Sequence, residues 1–207
     1  MDVSDALADL PQARFEGKIH IIDTAESMME HLPRLFGEEL LGFDTETRPA
    51  FRRGERYRPA LVQLACSRDA YIFRLNPLGG VPQALKDLLE CPRPVKAGIG
   101  LAQDIAALRS WEDFCCHQGA LLDLVPLAHK LGFARPNLRS LAAELLGLRV
   151  SKKARLTNWE NPQLTEAQIH YAAVDAWISR ELALRLLELK EKSFSGRGER
   201  DRDAVMD

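Results

Sequence analysis

Leu40-Leu-Gly-Phe-Asp-Thr-Glu-Thr47 is the stretch that decides the fold, an apolar run that ends in two carboxylates separated by one threonine. Alternate side chains of a β-strand share a face, so we expect Asp44 and Glu46 to point the same way, roughly 6–7 Å apart. Phe43 and Thr45 then face the other side. At an effective dielectric of about 20, two such carboxylates repel each other by about 3 kcal/mol. A fold tolerates this pair if a cation lies between the acids, if one acid is protonated, or if the strand end is solvated.

Length, composition and charge predict a single globular domain of an ordinary soluble protein. The chain has 207 residues, of which 46% are hydrophobic and 28% charged, as is usual for such domains. Its formal net charge of −2 argues against binding of nucleic acid by bulk charge, although it is compatible with a local basic rim beside an acidic site. We find no signal peptide and no apolar run long enough to span a bilayer, and we expect a cytoplasmic protein without a membrane partner.

The four cysteines give little indication of a metal site. Cys115 and Cys116 stand next to His117, but a second pair of ligands at zinc-finger spacing is missing. We therefore expect reduced thiols, as in a cytosolic protein.

Hydrophobic periodicity predicts a set of strands followed by alternating helices and strands. Strands are predicted over 18–23, 40–47, 60–66 and 70–75, and the short connections between the last three make them antiparallel neighbours. Thr24 is a candidate N-cap for a helix over 27–36. Further helices are predicted over 81–89, 102–110, 125–131, 138–146 and 165–192, and further strands over 94–98 and 120–124. This order predicts a mixed α/β sheet with helices on its faces.

The ends of the chain differ in composition from its centre. Residues 1–17 form a polar lead-in that we expect to be loose, residues 18–192 form the domain, and the charged, glycine-containing tail 193–207 is expected to be disordered. The long last helix has a clear start, because Thr165 and Gln168 have the spacing of a capping box.

Two more carboxylates stand where helix geometry could aim them at Asp44. Asp104 lies in the first turn of a predicted helix, and Asp175 follows Tyr171 by four residues, so these two side chains share a helix face. Small residues at positions 172, 173 and 176 would let this helix lie close to the sheet. Taken singly, Asp104 is explained by the helix dipole, which favours an acid in the first turn. Tyr171 alone is explained as a tyrosine that packs on the sheet. It is the joint occurrence of these residues, in this order, that indicates a function.

In this order the motifs resemble the tyrosine-bearing branch of the DEDD superfamily of 3′-5′ exonucleases. The matching motifs are Phe-Asp-Thr-Glu-Thr with Asp44 and Glu46, Lys-Ala-Gly-Ile-Gly-Leu-Ala-Gln-Asp ending at Asp104, and Tyr-Ala-Ala-Val-Asp with Tyr171 and Asp175. Leu-Thr-Asn-Trp at 156–159 and the segment 162–168 are similar to the loop before the last helix in exonuclease domains of the Werner helicase type, with ribonuclease D a more distant likeness. Within these 207 residues we expect neither a helicase nor the helical nucleic-acid-binding domains of ribonuclease D.

The resemblance implies an RNase H-like fold and a two-metal site. Oxygen ligands suit Mg²⁺ or Mn²⁺ rather than Zn²⁺, and no organic cofactor is expected. It implies that Asp44 bridges both ions, that Glu46 and Asp175 hold the ion on the nucleophile side, and that Asp104 acts through water. Tyr171 would orient the attacking water, since its ordinary pKa near 10 makes it a poor base at pH 7. The expected reaction removes nucleoside 5′-monophosphates from a 3′ end, with DNA slightly favoured over RNA.

Substrate contacts are predicted at basic and aromatic residues near the acids, because a single strand needs phosphate contacts and stacking surfaces. A run of charge is as often only a solvated face. The candidates are Thr45 within the first acidic motif, Arg52, Arg53, Arg56 and Arg58 after it, and Lys152, Lys153, Arg155 and Trp159 before the last helix. Asp123, by contrast, is interpreted as a helix cap rather than a ligand.

Three other functions compete with a DNA exonuclease. An exoribonuclease would use the same residues, and a catalytically silent nucleic-acid-binding module would keep the fold, although the complete set of acids argues against loss of activity. A phosphatase or calcium module is a third alternative, but no EF-hand loop is present. The sequence makes no prediction of the oligomeric state.

Overall fold

A computed structural model describes residues 9–111 and 118–203 of the chain. The predictions for Cys115, Cys116 and His117 lie outside these residues, as do the first part of the lead-in and the last part of the tail. Cys66 and Cys91, which are described, are free thiols.

Each predicted element is present, with bounds that differ by no more than two residues except at the end of the last helix. The strands are β1 (Lys18–Ile22), β2 (Leu40–Thr47), β3 (Pro59–Ala65), β4 (Asp69–Arg74), β5 (Val95–Gly98) and β6 (Leu121–Asp123). The helices are α1 (Ala25–Phe36), α2 (Gln83–Glu90), α3 (Leu101–Leu108), α4 (Leu124–Lys130), α5 (Leu138–Leu141, continued by a π turn to Leu146) and α6 (Glu166–Asp203).

The described strands form one sheet in the order β1-β4-β3-β2-β5-β6. β2, β3 and β4 are antiparallel neighbours, whereas β5 pairs parallel to β2 and β6 parallel to β5. This is the predicted mixed sheet. β1 adds a parallel pairing with β4 that the sequence did not indicate. All residues of β3 are buried, which explains why this strand is an almost continuous apolar run.

Helices cover both faces of the sheet. α1, α2 and α3 pack on one face through residues such as Leu32, Leu85 and Leu101. α4, α5 and α6 pack on the other face, around Leu127, Leu141 and their neighbours. Asp44 and Glu46 point to the α6 face, so the last helix is the element that closes over the acidic strand.

The start of α6 is fixed locally, as predicted. The Thr165 hydroxyl accepts from the backbone N–H of Gln168 at 3.2 Å, and the Gln168 side chain accepts from the Thr165 N–H at 3.0 Å. These reciprocal hydrogen bonds satisfy amides that the first helical turn leaves free.

The end of α6 differs from the prediction, because the helix continues past Lys192 to Asp203. Ion pairs of Glu188 with Arg185 at 2.6 Å and with Lys192 at 2.7 Å stabilise the turns that lead up to this point. Charges of opposite sign at helical spacing stabilise a solvated helix. The expected disorder of residues 193–207 stays a prediction.

The described part of the lead-in packs against the domain. Ala13 and Phe15 are only 3% and 6% exposed, and the Phe15 ring lies 6.0 Å from that of Trp177 on α6. The Ala13 N–H donates to the Arg149 carbonyl, and the Arg149 N–H donates to that of Pro11, both at 2.9 Å. This segment therefore packs against α6 and holds the start of the basic loop 149–162.

Within the described part of the chain, we find no helix both long enough and apolar enough to cross a membrane.

Candidate active site

Three carboxylates from two elements meet on the α6 face of the sheet. Asp44 and Glu46 on β2 and Asp175 on α6 each offer an oxygen atom, and these atoms lie within 4.8 Å of one another. The helix can approach this closely because Gly42, two residues before Asp44, has no side chain where the Ala176 backbone passes. Ala172, Ala173 and Ala176 are fully buried, as their predicted role against the sheet requires.

Asp104 reaches the site from the opposite face of the sheet. It lies on α3, whose Leu101 and Ile105 pack away from α6, and its carboxylate accepts a hydrogen bond from the Thr45 hydroxyl. Asp104 is not part of the group of three, but its charge raises the pKa values of Asp44 and Glu46. It thus lies at the edge of the pocket. The hydroxyl of Thr45, which we predicted to contact substrate, is thus hydrogen-bonded to Asp104.

Burial makes the cluster unfavourable as a set of free anions. It raises the pKa of Glu46 to about 9, with further contributions from Asp175 and Asp104. It raises the pKa of Asp175 to about 7 and that of Asp104 to about 6. The pKa of Asp44 is raised well above its usual range by burial and by the charges of the other acids. Carboxylates held this close without a partner favour proton or cation binding.

Tyr171 faces the same pocket and is only 8% exposed. Burial, followed by the charges of Asp175 and Glu46, raises the pKa of its phenol above the ordinary value of about 10. The hydroxyl therefore keeps its proton at neutral pH. It can donate to an oxygen atom in the pocket but does not serve as a base.

Trp159 occupies a different place from the one predicted. It is 1% exposed, and its ring lies 5.9 Å from that of Tyr171. A ring enclosed in this way offers no free face to a nucleobase, so the prediction that Trp159 stacks on substrate is at odds with its burial. Its side chain instead supports Tyr171 from behind.

Several buried polar atoms around the acids have no hydrogen-bond partner. Asp175 Oδ1 is buried without a hydrogen-bond partner, and so are both amide atoms of Gln63. Gln63 is 1% exposed and stands directly opposite Asp44 in the β2–β3 register, where paired side chains share a face. Leaving such groups unsatisfied costs about 1–3 kcal/mol each. Hydrated divalent ions, with oxygen ligands and ordered waters, fit these residues.

Sequence reasoning missed Gln63, although a signal was present. A lone amide interrupts the apolar run Ala60-Leu-Val-Gln-Leu-Ala, and a polar residue at the centre of a buried strand calls for a partner.

The basic loop lies beside the acids, as predicted. Lys153 lines a cleft with Tyr171 and Asp175, and Lys152 lines the same cleft. The charge of Arg155 acts on Glu46, whose pKa it lowers against the larger effect of burial. All three side chains are exposed, so they are available to a polyanion.

The arginines after β2 lie in a separate place. Arg52 lines a pocket of about 490 Å³ with Phe51 and Leu156, and no acid of the cluster is part of its lining. Arg53 and Arg56 are exposed. The Arg58 guanidinium lies 4.9 Å from the centre of the Trp111 ring, a cation–π contact that already gives this side chain a partner.

Asp123 is a helix cap, as predicted. Its carboxylate accepts from the N–H of Val125 at 3.0 Å, at the start of α4, and from the N–H of Gly100 at 3.2 Å, just before α3.

Comparison with known proteins finds a family. A family model described as 3′-5′ exonuclease matches residues 19–190. The chain is 36% identical over 152 residues to the mouse bifunctional 3′-5′ exonuclease/ATP-dependent helicase WRN, covering 70% of this chain and 10% of that protein. It is 30% identical over 198 residues to a 3′-5′ exonuclease of Arabidopsis thaliana, covering 88% and 68%.

A solved structure shows the same fold. The ribonuclease D of Escherichia coli superposes with a TM-score of 0.73 at 23% identity, covering 91% of this chain and 49% of that one. The chain thus spans a tenth of the mouse relative, about two thirds of the Arabidopsis one and half of the ribonuclease.

Proposed function

Because the chain belongs to the 3′-5′ exonuclease family, we propose that it is a two-metal-dependent nuclease that removes nucleoside 5′-monophosphates from the 3′ end of a nucleic acid. One observation carries the proposal. Asp44 and Glu46 on β2 and Asp175 on α6, which is far from them in the sequence, converge in one pocket with ligand atoms within 4.8 Å of one another.

The donor set determines which ions we propose. Asp44, Glu46 and Asp175 would hold two Mg²⁺ or Mn²⁺ ions, with Asp44 shared between them and Asp104 acting through water, since only hard oxygen ligands are available. Such ions, when bound, stabilise the attacking and the leaving oxygen of an in-line phosphoryl displacement.

The side chains around the acids have supporting roles. Tyr171 keeps its proton, so its hydroxyl donates to the attacking oxygen and orients it. Trp159 fixes the ring of Tyr171. Thr45 holds the Asp104 carboxylate from the other side of β2.

For the substrate, we propose phosphate contacts at Lys152, Lys153 and Arg155, which lie nearest the acids. Arg52 and Arg53 are proposed to contact the nucleic acid farther from the cleaved bond, because their pocket is separate.

We propose DNA as the first substrate to examine. RNA is the alternative, favoured by the likeness of the fold to an enzyme described as an exoribonuclease. The readout is the length of 5′-labelled DNA and RNA oligonucleotides of matched sequence, single- and double-stranded.

The test of the function compares wild type with Asp44→Asn in Mg²⁺ or Mn²⁺. We expect the wild type to shorten the oligonucleotide one nucleotide at a time and EDTA to stop it. Asp44→Asn should reduce the rate at least about 100-fold, because one shared ligand is lost. Degradation by Asp44→Asn at the wild-type rate would contradict the proposal. Binding without cleavage by wild type would favour the silent module.

A further inference from the structure

We propose that Arg139 and Arg149 bind the phosphates of a single strand on its way to the acids, in the cleft that they share with the loop lysines. This inference rests on the proposed function and adds two residues that the sequence did not single out. The recognised part of the ligand is the phosphodiester backbone of a single strand, independent of base sequence.

The cleft itself is the first observation. It has a volume of about 830 Å³. Its lining consists of Asn137, which caps α5, residues 138–140 of α5, residues 149–153 of the basic loop, and Tyr171 and Asp175 of α6. Four of the lining residues are cationic, whereas Asp175 is the one acid among them. A concave surface with one sign of charge concentrates ligands of the opposite sign.

Arg139 is the second observation. It is half-buried, and its Nε is buried without a hydrogen-bond partner. Its guanidinium is near enough to Asp175 to lower the pKa of that carboxyl, against the larger effect of burial. A guanidinium with a free, desolvated N–H beside the reacting end of the cleft matches the planar fork that a phosphate accepts.

Arg149 is held at the same cleft by its backbone. Its N–H and carbonyl pair with Pro11 and Ala13 at 2.9 Å, and its side chain is exposed at the lining. An anchored backbone with a free cationic side chain can contact a phosphate at little cost in loop ordering. The lead-in segment thereby acquires a part in substrate binding, since it positions this residue.

The test measures the salt dependence of binding. A fluorescent single-stranded oligonucleotide is titrated with wild type, Arg139→Gln, Arg149→Gln and the double variant in EDTA, over a range of salt concentrations. Each lost phosphate contact should lower the slope of log K against log salt by about 0.7 and raise Kd about tenfold, equally for oligonucleotides of different sequence. Arg139→Lys should keep the slope, because a lysine retains the charge.

Arg185→Gln is the matched control. Arg185 is a partly exposed arginine on α6 whose partner is Glu188. It does not line the cleft, so its loss should leave slope and Kd at wild-type values. Thermal unfolding confirms that every variant is folded.

Wild-type slope and Kd in the double variant would overturn the proposal. A lower kcat in Arg139→Gln with unchanged Kd and slope would overturn it for that residue, because Arg139 would then act only on Asp175. Either result leaves the nuclease function intact if the wild type degrades oligonucleotides. Absence of degradation by the wild type would instead contradict the function.

Discussion

Gly42→Ala tests whether the close contact of β2 with α6 creates the active site. A methyl group at position 42 would lie 1.8 Å from the Ala176 carbonyl oxygen and 2.8 Å from the Arg180 nitrogen, whereas real Cβ atoms stay beyond 3.0 Å. Both neighbours are helix backbone, which cannot rotate away. The helix must therefore move from the strand by about 1.2 Å or more.

This displacement acts directly on the acids, because Asp175 precedes Ala176 and Asp44 is two residues from Gly42. Metal–oxygen distances tolerate changes of only about 0.2 Å, and a misplacement of about 1 Å in an active site can lower the rate about 100-fold. We expect kcat/KM to fall by about that factor. Overpacking should also lower the free energy of unfolding by about 1–3 kcal/mol, or the melting temperature by about 2–4 °C for each kcal/mol.

Oligonucleotide degradation measures the first effect, and thermal unfolding with and without Mn²⁺ measures the second. The rise in melting temperature that Mn²⁺ gives to wild type should shrink in Gly42→Ala, since ligand binding stabilises the folded state in proportion to its affinity.

Gly37→Ala provides the control. Gly37 ends α1 with φ −78°, a conformation open to alanine, and an added carbon would come no nearer than 3.3 Å to the Arg34 carbonyl oxygen. It should retain activity and lose less than about 0.5 kcal/mol. Wild-type activity and Mn²⁺ response in Gly42→Ala would refute the argument that the glycine sets the position of Asp175.

Two further predictions concern Tyr171 and the electrostatics of the acids. Tyr171→Phe should lower kcat by about 10- to 100-fold, because the hydroxyl orients the attacking oxygen. The Mn²⁺-induced rise in melting temperature should persist, because the hydroxyl does not hold metal. Loss of that rise would contradict the role proposed for Tyr171. In EDTA, the melting temperature of wild type should fall as the pH rises from 5.5 to 9, because the pKa values of Asp104, Asp175 and Glu46, about 6, 7 and 9, all lie above those of the unfolded chain. A raised carboxyl pKa contributes stability at low pH that is lost as the pH rises through it. Saturating Mn²⁺ should flatten this dependence, and a melting temperature that instead rises over this pH range in EDTA would contradict the electrostatic argument.

The sequence by itself determined the features that depend on near neighbours in the chain. Alternation along β2 put Asp44 and Glu46 on one face, Thr165 and Gln168 formed their capping box, and Asp123 capped α4. These patterns are local, because the hydrogen bonds and periodicities that cause them span only a few residues. The ordered motifs also identified the family before any tertiary contact was known.

Tertiary structure decided what depends on residues far apart in the chain. The burial of Trp159, which the sequence did not indicate, is set by its neighbours in space, here Tyr171. Gln63 lies opposite Asp44 only through the β2–β3 register, and Arg139 meets Asp175 only where α5 and α6 line one cleft. Strand register and helix packing follow from the summed burial of many side chains, which no short window of sequence contains.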